Sequence, residues 1–323
     1  MGADRHQRAI VFPGQGSQAV GMGRELAGAG AGDVFRQVDD ALGEHLSRLM
    51  FEGPVEELML TRNAQPALMT VGIAALRLLE TRTGTPIAGL AGVVAGHSLG
   101  EYTALAAAGS IDIADTARLL RLRGEAMQEA VPVGEGAMAA LLGAELETAR
   151  DIAGQVSERG VCNIANDNAP GQVVISGARG AIELALDLAR DKGVRRAIML
   201  PVSAPFHCSL MQPAAERMAE ALAGITIRPP ELPLVANVLA APVEPHADAI
   251  RARLVEQVTQ MVRWRESVLW MSGRGVAGII ELGPGNVLTG LHRRIDRSLA
   301  ASSAATPDAV EELAAGITTR EDP

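Results

Sequence analysis

The chain has 323 residues, 48% of them hydrophobic and 21% charged, with a formal net charge of −9. That length suits one large domain carrying an insertion, or two domains, and the acidic balance excludes general affinity for nucleic acid or anionic membrane, which needs clustered Lys and Arg. Aromatic residues make up only 2%, so Leu, Val, Ile, Ala and Met must fill the core, and the two cysteines, Cys162 and Cys208, offer neither a disulfide framework nor a CxxC metal spacing.

The opening MGADRHQRAIVF has no apolar run of leader length, and His6 stands where a myristoylation pattern wants Ser or Thr. No apolar run reaches membrane-spanning length without a charge, so a cytoplasmic protein is expected. RAIVF (8–12) predicts a buried strand. The glycine-rich VFPGQGSQA that overlaps it has the spacing of a dinucleotide-binding turn, G-x-G-x-x-A, with the acidic pair Asp39-Asp40 following. That pair lies in DVFRQVDDALGEHL, a helical pattern, whereas a nucleotide site needs it at the end of a second strand. QPALMTVGIAALRLLETRTG (65–84) then predicts a helix with Pro near its first turn and Gly at its end, and LAGVVAG (90–96) a second buried strand.

Gly96-His97-Ser98-Leu99-Gly100 follows that strand and precedes the helical EYTALAAAG. G-x-S-x-G between a strand and a helix makes a sharp elbow that lifts a serine hydroxyl above the sheet, with the N–H of the next residue, Leu99, directed at a developing oxyanion. The competing reading is a glycine-rich turn with a capping serine. The helix IADTARLLRLRGEAMQEA (113–130) carries Leu119, Leu120, Leu122, Ala126, Met127 and Ala130 on one face and Arg118, Arg121, Glu125, Gln128 and Glu129 on the other. Arg123 falls near the middle of the apolar face. A guanidinium directed inward must be paired, either structurally with a buried carboxylate or helix-end carbonyls, or with the carboxylate of a substrate through two parallel hydrogen bonds.

Residues 132–201 read as β-α-β-β-α-β: GAMAALLG, ELETARDIAGQVSE, VCNIANDNAPGQVVISG as paired strands, AIELALDLARDKG and RRAIMLPV, bounded by Pro132 and Pro201. PLVANV (233–238) and VAGIIELG (276–283) predict further strands, and SLAASSAATPDAVEELAAGI ends in a helix capped at Thr306-Pro307. A serine nucleophile needs a base. His6 lies in the N-terminal tail, His45 in a charged helix, His246 in a polar loop, His292 in a basic helix, and His97 adjoins Ser98, where neighbouring side chains point apart. Elimination favours His207, in LPVSAPFHCSLM, against a plain core histidine; Cys208 beside it is not expected to be the nucleophile.

FPGQGSQ, TRNAQPAL, GHSLGEYTAL, RLLRLRGEAMQ, NDNAPGQVVISG, PVSAPFHCSLM and ELGPGNVLTGL, taken in order, span almost the whole chain. Together they resemble the malonyl-CoA:acyl carrier protein transacylases and the acyltransferase domains of fatty acid and polyketide synthases. The resemblance implies an α/β-hydrolase-like domain with a parallel sheet (1–131 and 202–323) and an inserted ferredoxin-like α+β domain (132–201). It implies Ser98 as acyl-accepting nucleophile, His207 as base oriented by the backbone carbonyl of Gln257, Arg123 on the malonyl carboxylate, and an oxyanion hole from the N–H groups of Gln15 and Leu99. It sets His97, Asn166, Asn168 and Phe206 around the substrate pocket, Phe206 favouring malonyl over methylmalonyl, and Arg196 near the CoA or carrier phosphate.

The reaction so implied is ping-pong transfer of malonyl from malonyl-CoA to the phosphopantetheine thiol of acyl carrier protein, a transient partner. No metal or redox cofactor is needed, and a monomer is expected. The chain's end soon after the last motif favours fatty acid synthesis over a polyketide synthase; a serine thioesterase or hydrolase on the same elbow, or a silent carrier-binding scaffold, are the other readings. Two segments depart from the family pattern: VTQMVRW (258–264), where many relatives have Asn-Pro, and NVLAAPV (237–243), which carries none of the implied catalytic residues.

Overall fold

The computed structural model describes residues 5–318; residues 1–4 and 319–323, on which part of the leader reading rests, lie outside the described residues. Among the described residues ten strands form two sheets: β1 (Arg8–Phe12), β2 (Val93–Gly96), β3 (Gly136–Leu142), β4 (Cys162–Ala169), β5 (Gln172–Ala178), β6 (Arg196–Met199), β7 (Leu234–Ala236), β8 (Ala241–Pro242), β9 (Gly278–Leu282) and β10 (Ala300–Ala304). The first sheet runs β10-β9-β1-β2-β7-β8, parallel throughout except for the final β7–β8 hairpin.

β1 sits at the centre of that sheet and is buried along its whole length. Because side chains alternate across a strand, Ile10 and Phe12 enter one core with Val94 and Leu282, while Ala9 and Val11 enter another with Val93, Ala95, Trp264 and Val268 on the opposite face. A parallel sheet covered on both faces explains the continuous apolar runs in these strands. The helix Thr61–Thr83 lies against the first face and is buried over most of its length. Its Gly72 permits the close approach, since a Cβ there would stand 3.0 Å from the Phe12 ring and 3.3 Å from the Leu282 carbonyl.

The second sheet, β4-β5-β3-β6, is antiparallel throughout. The helices Leu146–Val156 and Arg179–Asp191 cover one face through Ala139, Leu141, Val173 and Ile175. The opposite face presents Met138 and Val174, packed with Leu200, Val202 and Phe206. β4 carries register irregularities between Ile164 and Asn166 and between Asp167 and Ala169. There it also touches the rest of the molecule: Asp167 N–H donates to the Val262 carbonyl (3.0 Å) and Val262 N–H to that of Ala165 (2.9 Å). An ion pair between the buried Asp167 and the partly exposed Arg265, at 2.9 Å, adds to this bridge.

Several expectations need correction. The helix expected from residue 65 begins at Thr61, a turn earlier, so Pro66 lies inside it. β10 was not expected at all: AASSA has no β-branched residue, and it is a strand because it closes the edge of the sheet against β9. Arg121, placed by periodicity on the solvent face, is buried, because Glu44 at the end of a neighbouring helix receives its guanidinium on both carboxylate oxygens at 2.9 Å. Asp39 and Asp40 do lie in a helix, Gly32–Leu42, as the pattern required. Thr306 caps the last helix through the Ala309 N–H (3.3 Å). Among the described residues no helix is long and apolar enough to cross a membrane.

Candidate active site

The glycine-rich turns after β1, β2 and β9 converge at the carboxyl ends of the parallel strands, where open α/β sheets bind ligands. Between them and the Met138–Val174 face of the second sheet lies a cleft of about 410 Å³.

At the end of β2 the chain reverses into the helix Leu99–Ala107 through Ser98, held at φ 53°, ψ −112°. Positive φ is costly for a residue with a Cβ and persists only where the surroundings enforce it. The two flanking glycines are sterically required: a Cβ on Gly96 would lie 1.9 Å from the Gly100 carbonyl, and one on Gly100 would lie 2.2 Å from the Phe12 carbonyl oxygen. The strained turn is held from behind. Asn237 Oδ1 accepts from the Ser98 N–H (2.7 Å), Asn237 Nδ2 donates to the Gly96 carbonyl (2.7 Å), and Gln257 Nε2 donates to the Ser98 carbonyl (3.0 Å). Glu101 Oε2 in turn receives the Asn237 N–H (3.0 Å) and Gln257 Nε2 (2.8 Å). Burial pushes the Glu101 carboxyl up to about 7, against these hydrogen bonds and the Arg123 charge.

Ser98 Oγ lies 2.8 Å from His207 Nε2, and His207 Nδ1 lies 2.9 Å from the backbone carbonyl of Gln257. The carbonyl accepts only, so Nδ1 carries the ring proton and Nε2 is left as the base. His207 is itself at φ 56° and buried. Burial, with the Arg123 charge second, pushes its imidazole down to about 3, so the ring is neutral.

Arg123 is 2% exposed, a charge on the apolar face as the periodicity indicated. Nη1 donates to Gln65 Oε1 (2.7 Å), and Nη2 donates to Gln257 Oε1 (2.9 Å) and to Ser98 Oγ (3.1 Å). The guanidinium also stands 5.6 Å from the Tyr102 ring centre. These hydrogen-bond partners are neutral, and among the described residues it makes no salt bridge; the buried carboxyl that senses its charge, Glu101, stands one residue removed, behind Gln257. Burial lowers the guanidinium's pKa, the direction expected of a cation out of water.

The remaining expected residues divide. Gln15, Leu99, His97, Asn166, Asn168 and Phe206 all line the cleft. Leu99 opens its helix, so its N–H has no carbonyl of that helix to meet. His97 turns to the second sheet's side of the cleft, not to the Ser98 hydroxyl: its Nε2 meets Asn168 Oδ1 at 2.8 Å, and its ring packs on Gly14. Arg196 does not join the site; it is exposed on the edge strand β6, opposite Leu142, and outside the cleft lining. Cys208 is buried with its thiol donating to the Pro205 carbonyl (3.1 Å), and burial raises its pKa, so it is inert as expected.

Sequence reasoning missed Gln65, Glu101 and Asn237. Asn237 heads the NVLAAPV segment, which therefore bears on the elbow more closely than its departure from the family pattern suggested. Glu101 had a visible signal: it is a charge in LGEYTALAA, an otherwise almost wholly apolar helix.

A serine on a strand–helix elbow, bonded to a neutral histidine whose other nitrogen is fixed by a carbonyl, defines an enzyme class that carries acyl groups on serine. The chain belongs to the acyl transferase domain family, whose profile matches residues 9–315. A malonyl CoA-acyl carrier protein transacylase of Bacillus subtilis (strain 168) is 45% identical over 306 residues, 94% of this chain and 95% of its own. An acyl-carrier-protein-S-malonyltransferase from Bartonella henselae has a crystal structure similar at a TM-score of 0.93 and 50% identity, covering 98% of this chain and 100% of that one. A structure of a type II polyketide synthase acyl carrier protein in complex with its malonyl-transacylase matches at a TM-score of 0.90 and 42% identity, over 94% of this chain and 97% of that one.

Proposed function

We propose that the protein transfers malonyl from malonyl-CoA to the phosphopantetheine thiol of acyl carrier protein through a malonyl ester on Ser98. The observation that carries this reading is Arg123, a buried guanidinium hydrogen-bonded to neutral groups and to no carboxylate among the described residues, one of whose nitrogens is 3.1 Å from the nucleophile. A buried cation beside an acylated serine suits an acyl group that carries a second carboxylate.

His207 takes the Ser98 proton as Oγ attacks the thioester carbonyl. The N–H groups of Gln15 and Leu99 receive the oxyanion, the carbon–sulfur bond breaks, and the CoA thiolate leaves with the proton from His207. The carrier thiol then gives its proton to His207, attacks the ester carbonyl, and releases Ser98 with that proton restored. Arg123 holds the malonyl carboxylate through both steps, so the ester faces an entering thiol. Asn166, Asn168 and His97 line the path for the pantetheine arm, and Phe206 narrows the pocket at the malonyl α-carbon. Discrimination by one methyl is worth only about 1–3 kcal/mol. The chemistry needs no metal or redox cofactor, and the enzyme acts as a cytoplasmic monomer.

The architecture is read as an α/β-hydrolase-like domain (1–131 and 202–323) with a ferredoxin-like insertion (132–201). The insertion's β-α-β-β-α-β order and its own apolar core support that division. Fatty acid synthesis is the expected destination; the likeness to a malonyl-transacylase bound to a polyketide carrier supports a second one with the same chemistry.

The test is intact-mass measurement after malonyl-CoA is added, and again after purified acyl carrier protein. A malonyl mass gain on Ser98 that moves to the carrier is expected. Release of free malonate without carrier acylation would make the protein a hydrolase, and the absence of any adduct would make it a scaffold.

A further inference from the structure

Arg123 and Gln15 stand at opposite ends of a line of hydrogen bonds, buried from Arg123 to Thr61 and part-buried where it reaches the exposed Gln15. Arg123 Nη1 donates to Gln65 Oε1 (2.7 Å), Gln65 Nε2 donates to Thr61 Oγ1 (3.0 Å), and Thr61 Oγ1 donates to Gln15 Oε1 (2.9 Å). Thr61 and Gln65 are each 1% exposed and lie one turn apart at the start of the helix Thr61–Thr83. A guanidinium has no acceptor, so it fixes Gln65 with its oxygen towards Arg123 and its amide nitrogen towards Thr61. The Thr61 oxygen then accepts, and its single proton is left for Gln15. The cation thus sets the sense of every bond in the line.

Gln15 is exposed, in the turn Gln15–Gly16 between the partly exposed Gly14 and Ser17. Within this segment the Gly16 N–H donates to Gln18 Oε1 (2.8 Å), and the Thr61 hydroxyl on the Gln15 side chain ties the turn to the helix Thr61–Thr83.

We propose that Thr61 and Gln65 are positioning residues that couple the carboxylate-binding guanidinium of Arg123 to the turn bearing the Gln15 N–H, so that a carboxylate on Arg123 is felt where the oxyanion forms. This rests on the malonyl-transfer reading above for the roles of Arg123 and Gln15. It gives the enzyme a way to express substrate choice in the rate of bond formation as well as in binding.

The experiment compares wild type, Thr61→Val, Thr61→Ser and Gln15→Ala, each with Arg123 intact and as Arg123→Ala. Two rates are measured: acylation of Ser98 by malonyl-CoA, and labelling of Ser98 by a fluorophosphonate, whose phosphoryl oxygen occupies the oxyanion position and which needs no carboxylate. Thr61→Val keeps shape and removes only the hydroxyl. It is expected to slow both rates about tenfold, with KM for malonyl-CoA changed less than about twofold, as for a displacement of well under 1 Å. Thr61→Ser restores both rates, and with Arg123→Ala in place Thr61→Val adds less than about twofold, because the line has already lost its direction.

Should Thr61→Val fail to fold, Gln15→Ala cuts the exposed end of the same line and is expected to give the same loss. The proposal is overturned if folded Thr61→Val or Gln15→Ala reacts at the wild-type rate, if Thr61→Ser is as slow as Thr61→Val, or if the full loss persists without Arg123. A wild-type protein that takes the fluorophosphonate but not malonyl would sink the malonyl reading alone, leaving the coupling to be judged on the labelling rates.

Discussion

Arg123 Nη2 donates to Ser98 Oγ at 3.1 Å, while the same oxygen lies 2.8 Å from His207 Nε2. Since the guanidinium can only donate, the serine proton is left for the histidine, and the residue assigned to the substrate carboxylate also orients the nucleophile. Arg123→Ala is therefore expected to lower Ser98 acylation by malonyl-CoA by at least about 100-fold, and acylation by acetyl-CoA much less, as rapid-quench mass spectrometry would read. Arg123→Lys keeps the charge but not the two-pronged geometry, and should recover only part of the malonyl rate. Equal losses for both acyl groups would remove Arg123 from substrate selection.

His207 has its pKa pushed down to about 3, first by burial and second by Arg123. Its imidazole stays neutral wherever pH exceeds that value, so the rate of Ser98 acylation should not fall as pH drops through about 6.5, where an ordinary histidine would gain a proton. Removing the Arg123 charge raises the His207 pKa, so the acid limb in Arg123→Ala should move to higher pH. An NMR titration of the His207 ring in both proteins checks the shift, and an unchanged value would show that the two residues do not sense each other.

The elbow makes steric predictions with an internal control. Gly96→Ala and Gly100→Ala would each drive a Cβ to within 2.2 Å of a backbone atom. Such overlaps should cost more than about 4 kcal/mol or prevent folding. Gly290→Ala, in an exposed helical turn with nothing within 4 Å, should be neutral or stabilising. Ser98→Gly, which relieves the φ 53° strain, should abolish acylation and raise the unfolding free energy by about 1 kcal/mol.

This elbow was legible in the sequence because its steric demand is local: two glycines and a serine, with a strand before and a helix after. Arg123 was legible because a charge on an apolar stripe breaks a 3.6-residue period that the eye can follow. The hold from behind the elbow was not: Asn237 was missed and Gln257 was foreseen only for its carbonyl on His207, because both side chains reach Ser98 from elements 139 and 159 positions away in the chain. Buried amides carry no periodic signature, and β10 carries no β-forming residue type. Glu101 could have been found by the reasoning applied to Arg123.

His292, wholly buried and with its ring 5.9 Å from that of Trp264, has its pKa pushed down to about 4 by burial. In the unfolded chain it takes up a proton as pH falls below about 6.5; in the folded protein it does not until about 4. Its contribution is therefore fully present above 6.5 and is lost progressively between 6.5 and 4. His292→Leu should gain about 2 kcal/mol relative to wild type at about pH 5 that it does not gain at about pH 8, measured by urea unfolding at the two pH values.

The bridge between β4 and Val262 bears on how fast the enzyme can turn over. A segment joined to its neighbour only where the chain enters and leaves could swing like a jaw, but residues 132–201 are fastened elsewhere too, by two backbone hydrogen bonds and the Asp167–Arg265 pair beside Val262, by His97 on Asn168, and by Arg294 on Gln172. Separated fastenings of this kind make a truss, and the spacing between Ser98 and the wall formed by Met138 and Val174 is then set before any acyl group arrives. Such an enzyme works as a fixed mould through which the pantetheine arm threads, so acyl transfer within the bound complex should be indifferent to solvent viscosity, which acts only on the encounter with substrate and carrier.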